Sequence, residues 1–218
     1  PSSIINKSNL DFEIRFTYNS NAIEGSRLTL RETGMIFKEK IIPSGDDTQT
    51  KDVIEAINGR DTLDLIKSFK KFEINNKLLE KINYELTKNT DLTYPGRIRF
   101  FNISIQGSDH IPPQHDEVKK MLNKLYLFYD ENKNKLHPII MAFMLHGAIA
   151  HIHPFEDGNG RCARSIMNFY LLKSNFPRFY ISSNNLIDYY NALEKYDNGK
   201  YKEYSKLMFK LVCKTFQK

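Results

Sequence analysis

Apolar residues recur at helical spacing through most of the chain. In "LDFEIRFTYNSNAIEGS", Leu10, Ile14 and Phe16 fall on one face, and the run ends at Glu24-Gly25, where the glycine supplies a C-terminal cap. A second helix is expected over "LTLRETGMIFKEKII", weakened by Gly34, and "PSGDD" at 43–47 reads as a loop. Val53, Ile54, Ile57, Leu63, Ile66 and Phe69 mark an amphipathic helix, and "NKLLEKINYEL" predicts another. The period changes in "GRIRFFNISIQGS" at 96–108, where Ile98, Phe100, Ile103 and Ile105 alternate with polar residues between Pro95-Gly96 and Gly107-Ser108. That alternation predicts a β-hairpin. Helical spacing then resumes in "QHDEVKKMLNKLYLFY", "HPIIMAFMLHGAIAHIH", "RCARSIMNFYLLKS", "NLIDYYNALEKY" and "YKEYSKLMFKLVCKTF". The expectation is an all-α helical bundle with one β-hairpin, and no repeat or linker divides it.

Composition narrows the class. The chain has 218 residues, 40% hydrophobic and 27% charged, the balance of one soluble globular domain with a sizeable core. Cys162 and Cys213 are too few for a disulfide framework and have no metal-clip spacing, which points to a reducing, cytoplasmic compartment. The start lacks the order of a secretory signal, and "IIMAFMLHGAIAHI" is too short to span a bilayer, so no membrane partner is expected. A first residue of Pro rather than Met reads as a processed or truncated chain. The net charge of +6 is scattered rather than striped, which disfavours nucleic acid as a partner and stays compatible with phosphate-bearing ligands.

The candidate chemistry lies in "HPFEDGNGRCAR", residues 153–164. Pro154 ends the preceding helix, Gly158 and Gly160 allow positive φ and close backbone approach, and a new helix starts near Gly160. Its unpaired amides and the helix dipole make an anion nest. Arg161 and Arg164, three apart, share a face of its first turns, where each cation costs about 0.3–1 kcal/mol against the dipole. A bound polyphosphate offsets that cost. Asp157 is placed to hold Mg²⁺ against phosphates, and His153 to take a proton from a hydroxyl nucleophile. Taken singly, His153 reads rather as a helix-end residue fixing a turn, and the arginines as partners of carboxylates at the core rim; their joint occurrence favours the phosphate site. A transition-metal site of His146, His151, His153, Glu156 and Asp157 is disfavoured, because His146 and His151 lack i,i+4 spacing.

The loop resembles the Fic-domain signature, His-Pro-Phe-x-Asp/Glu-Gly-Asn-Gly-Arg-x-x-Arg, at every fixed position. The resemblance implies a helical Fic fold with a flap near the active site, and transfer of AMP from ATP to a protein hydroxyl with release of pyrophosphate. It implies His153 as general base, Asp157 as Mg²⁺ ligand, Gly158, Asn159, Gly160 and Arg161 as phosphate cradle, Arg164 on the γ-phosphate and Phe155 as the loop's anchor. Arg161 also stabilises the developing charge. The hairpin is similar to the family's flap, with Ile103, Ile105 and Gly107 in the part that docks an extended target segment. Tyr189 or Tyr190 in "NLIDYYNAL" would border the adenine, or both are core. Gly160, where the phosphotransferase branch carries Lys, favours nucleotidyl transfer.

"SNAIEG" at 20–25 resembles the inhibitory pattern Ser/Thr-x-x-x-Glu-Gly/Asn, which implies that Glu24, with Ser20, competes with the γ-phosphate for Arg164. Residues 1–30 are thus expected to be an inhibitory segment and 31–218 a catalytic core packed as one unit. The implied partners are ATP and a protein bearing a Ser, Thr or Tyr hydroxyl, the chain itself included, with self-association left open. Two other readings stand beside this one: an enzyme that removes AMP from modified proteins, and a non-catalytic nucleotide-sensing module.

Overall fold

A computed structural model describes residues 2–43, 49–105 and 108–216. The described chain is helical: α1 Ser2–Ile23, α2 Leu30–Lys38, α3 Thr50–Ser68, α4 Asn76–Thr87, α5 His115–Asn132, α6 Pro138–Ile152, α7 Asn159–Lys173, a 3₁₀ turn Ser183–Asn185, α8 Leu186–Asp197 and α9 Tyr201–Phe216. The helix α1 starts two turns before the apolar spacing predicts. Lys7, Ser8 and Asn9, just ahead of Leu10, are exposed there. The helix α2 is shorter than its pattern and begins at a capping box, in which Thr29 and Glu32 satisfy each other's backbone donors.

The centre of the bundle is α6, buried on every side by Met141, Phe143, Leu145, His146, Ala148, Ile149 and Ile152, as expected of a helix with no polar face. It packs most closely on α7, whose Cys162, Ala163, Ile166, Met167, Phe169 and Leu171 are fully buried. Around this pair α4, α5, α8 and α9 complete one continuous core, while Leu28, Ile36, Val53 and Ala56 form a smaller cluster where α2 meets α3. The helix α1 lies across α3 and reaches α2 and α7, which brings its C-terminal end to the start of α7.

The expected hairpin is not a pair of hydrogen-bonded strands among the described residues, and Gly107 lies outside them. Beyond a bend at 100–101 the segment is extended over the described residues 102–105, with half-buried Ile103 and Ile105 alternating with exposed Asn102 and Ser104. Its backbone groups find partners elsewhere. The Arg99 amide donates to the Pro154 carbonyl at 2.9 Å, and the Arg99 guanidinium takes the Phe101 carbonyl. The side chain of Asn102 caps the amide of His115 at 2.9 Å. Alternation reports a half-buried extended chain, and a ladder needs in addition a partner strand to accept its donors.

Candidate functional site

The junction of α6 and α7 builds the site. His153 caps α6 in the left-handed region (φ 50°), a strained setting for a residue with a Cβ. Several bonds hold it there. Its amide donates to the Ile149 carbonyl at 3.0 Å, and its own carbonyl accepts from Arg99 Nε at 2.8 Å. Arg99 is itself buried and also bonds the Pro113 carbonyl at 2.6 Å, so one side chain ties the extended segment to the loop. The His153 ring places Nδ1 3.1 Å from the Ala150 carbonyl. A carbonyl only accepts, so Nδ1 carries the hydrogen and Nε2 presents its lone pair. Burial, countered in part by the Ala150 hydrogen bond and then by Glu24, lowers the pKa of His153, which favours the neutral ring with Nε2 able to accept a proton.

The loop is held from within and from α4. The Phe155 ring is buried, and the side-chain amide of Asn159 bonds both its backbone N–H (2.8 Å) and its carbonyl (2.9 Å). Asn83 of α4 donates to the Asp157 carbonyl at 2.9 Å and accepts from the Gly96 amide at 3.0 Å. Gly158 caps α7 with φ 74°, and a Cβ on it would stand 2.8 Å from Thr87 Cγ2. Among the described residues no side chain caps the first amides of α7, the setting in which a helix start can take an anion.

Arg161 is 3% exposed, with Nη1 2.9 Å from Glu55 Oε1 and Nη2 3.1 Å from Asp157 Oδ2. The Nη1 contact is an ion pair with poor hydrogen-bond alignment, and Nε has no acceptor among the described residues. A buried donor left unpaired costs about 1–3 kcal/mol, which an anionic ligand would recover. Burial, opposed by Arg161, raises the pKa of Glu55. Asp157 is half exposed, and its two oxygens accept one N–H each, from Gly158 (2.6 Å) and Arg161 (3.1 Å). Lone pairs remain, and Mg²⁺ bound to phosphates needs only one or two such carboxylate oxygens, so the residue fits that ion.

Arg164 is 2% exposed and spends its donors on α1 and α8. Its Nε bonds Ser20 Oγ (2.9 Å), Nη2 bonds the Ser20 carbonyl (2.9 Å) and Glu24 Oε1 (2.6 Å), and Nη1 reaches the Tyr189 hydroxyl (3.3 Å). The Glu24 carboxylate sits directly over the nest: a Cβ on Gly160 would stand 2.4 Å from Glu24 Oε1. Tyr189 is buried behind Arg164 and donates to His146, so it positions the arginine and presents no ring surface to a base. Tyr190 is half exposed, its hydroxyl 3.4 Å from the Ile23 carbonyl. His146 is wholly buried between Tyr189 and Tyr204, and His151 bonds Asp197, so neither joins His153 around an ion. Sequence reading missed Arg99, Glu55 and Asn83. The available signals were a charged residue inside the apolar alternation and polar residues at buried helical positions.

An all-α bundle with a turn that gathers uncapped helix amides and two buried arginines between its two central helices is the class that fold and site define. Residues 73–171 match the model of the Fic/DOC family. It is similar to the protein adenylyltransferase Fic of Nematostella vectensis, 29% identical over 210 residues that cover 91% of this chain and 46% of the relative. The same-named protein of Drosophila grimshawi is 25% identical over 199 residues, covering 91% of this chain and 41% of the relative. The chain therefore spans less than half the length of these curated relatives. A Fic domain containing signaling protein from Bacteroides thetaiotaomicron shares the fold, with a TM-score of 0.88 at 22% identity over 99% of this chain and 88% of that one. Among the described residues no helix is long and apolar enough to cross a membrane.

Proposed function

We propose that this chain is a protein adenylyltransferase whose resting activity is held down by Glu24. One observation carries the reading: Glu24 Oε1 lies 2.6 Å from Arg164 Nη2 and against Gly160, at the helix start where a phosphate would sit. In the reaction, a hydroxyl oxygen of the target protein bonds to the α-phosphorus of ATP and the bond to the β-phosphate bridge breaks. AMP stays on the target and pyrophosphate leaves. His153 Nε2 takes the hydroxyl proton, since its Nδ1–H is committed to Ala150. The amides of α7 and Arg161 receive the developing phosphate charge. Mg²⁺, held by Asp157, would supply further charge neutralisation when bound. Residues 1–30 then act as the regulatory element of a core formed by 31–218, and the extended segment with Ile103 and Ile105 docks the target.

Transfer of label from [α-³²P]ATP tests this. Glu24→Gly raises labelling of the chain or of added proteins, and His153→Ala abolishes it. Labelling that neither substitution changes would sink the proposal. The half-exposed Glu24 carboxylate also favours a second reading, in which it activates water to release AMP from a modified target. AMP appearing from a pre-labelled target with the parent chain, and lost with Glu24→Gly, separates that activity from inhibition alone. A mere nucleotide sensor has no use for a base with an anchored tautomer.

A further inference from the structure

Outside the loop, three side chains from distant parts of the sequence converge. His110 follows the extended segment, His151 lies in the last turn of α6, and Asp197 is the last residue of α8. His151 Nδ1 is 2.8 Å from Asp197 Oδ1, and His110 Nδ1 is 3.7 Å from the same oxygen. One donor atom from each residue lies within 4.8 Å of the other two, and all three residues are partly buried.

The orientation of His110 limits what this trio does. Its Nε2 lies 2.8 Å from the His151 carbonyl, which only accepts, so Nε2 carries the hydrogen. In the neutral ring the Nδ1 lone pair then faces the Asp197 carboxylate. Two electron-rich groups aimed at each other are stabilised by a cation between them. An imidazole whose far N–H is anchored on a backbone carbonyl is oriented as metal-bound histidines are.

We propose that His110, His151 and Asp197 form a binding site for a divalent transition metal of the zinc class. Two imidazoles and one carboxylate suit that class, with a fourth position left to water. Tetrahedral ligation at about 2.0–2.1 Å places donor atoms about 3.3 Å apart. The His110–Asp197 distance closes slightly to reach this and the His151–Asp197 distance opens, with His151 shifting to its Nε2–H tautomer. The ion staples the end of the extended segment to α6, two residues before His153.

Zinc titration of the chelator-stripped full chain, in competition with a chromophoric chelator, tests the site, with cobalt substitution reporting geometry. The expected result is one ion per chain and visible bands of four-coordinate cobalt. His110→Ala and Asp197→Asn, checked for native helical circular dichroism, should bind at least about tenfold more weakly, and Asp157→Asn should bind as the parent does. His110 lies outside the helices, so its removal spares the core. Three results overturn the proposal: no saturable binding, which leaves the trio a proton-bridged ion pair; binding that survives both substitutions; or loss of binding in Asp157→Asn, which assigns the ion to the loop.

Discussion

Arg164 and Glu24, 140 residues apart in sequence, meet at 2.6 Å, with the arginine buried and the carboxylate partly open to solvent. A charged hydrogen bond of about 1.5–3 kcal/mol, discounted for that exposure, leaves about tenfold for a competing anion to overcome. Glu24→Gln therefore raises ATP affinity about tenfold in calorimetry and leaves AMP affinity near that of the parent. An equal gain for AMP would show that Glu24 acts on the whole nucleotide rather than at Arg164.

Gly160 and Glu24 are coupled by space. A Cβ at Gly160 meets Glu24 Oε1 at 2.4 Å and Arg164 Nη1 at 3.1 Å, so Gly160→Ala displaces the glutamate. Its stability cost should shrink by about 1 kcal/mol or more when Glu24 is already Gly, as read from denaturant midpoints in a double-mutant cycle. Strict additivity rules the contact out.

Arg99 is a buried cation whose donors reach the carbonyls of Phe101, Pro113, Ile152 and His153. Arg99→Ala orphans those acceptors and should cost about 3 kcal/mol or more, with the 97–113 segment turning protease-sensitive before global unfolding. Uniform protection of that segment in the variant would argue that other contacts hold it.

His146 is neutral in the fold: burial, and then the nearby Arg164, lower its pKa from 6.5 to about 3. The unfolded chain binds a proton there below 6.5 while the folded chain does not. Stability from this group is whole above pH 6.5 and falls by about 1.4 kcal/mol per unit as pH drops toward 3. His146→Gln should flatten this limb of the stability profile, at a cost in stability at pH 7 from its disturbed bonds to Tyr189 and Tyr204. A limb as steep as the parent's places the titration elsewhere.

Much of this protein is local, and what is local was legible. Helical period located the helices, because a buried face repeats every three to four residues whatever covers it. The 153–164 turn was legible as a unit, since Pro154 and the positive φ of Gly158 set its backbone within a few residues, whereas Gly160 is helical and lies against Glu24 from distant α1. The 96–108 segment shows the limit: alternation describes one chain, while pairing depends on another. Only the tertiary structure brought Arg99 to the His153 carbonyl, Glu55 to Arg161, and His110 and Asp197 to His151. These contacts join residues 41 to 106 positions apart, and such distances follow from how helices pack rather than from any spacing along the chain. The strength of each contact is set in the same way. Arg164 holds Glu24 as it does because the packing of α1 on α7 buries the guanidinium and brings Ser20 and Glu24 onto it.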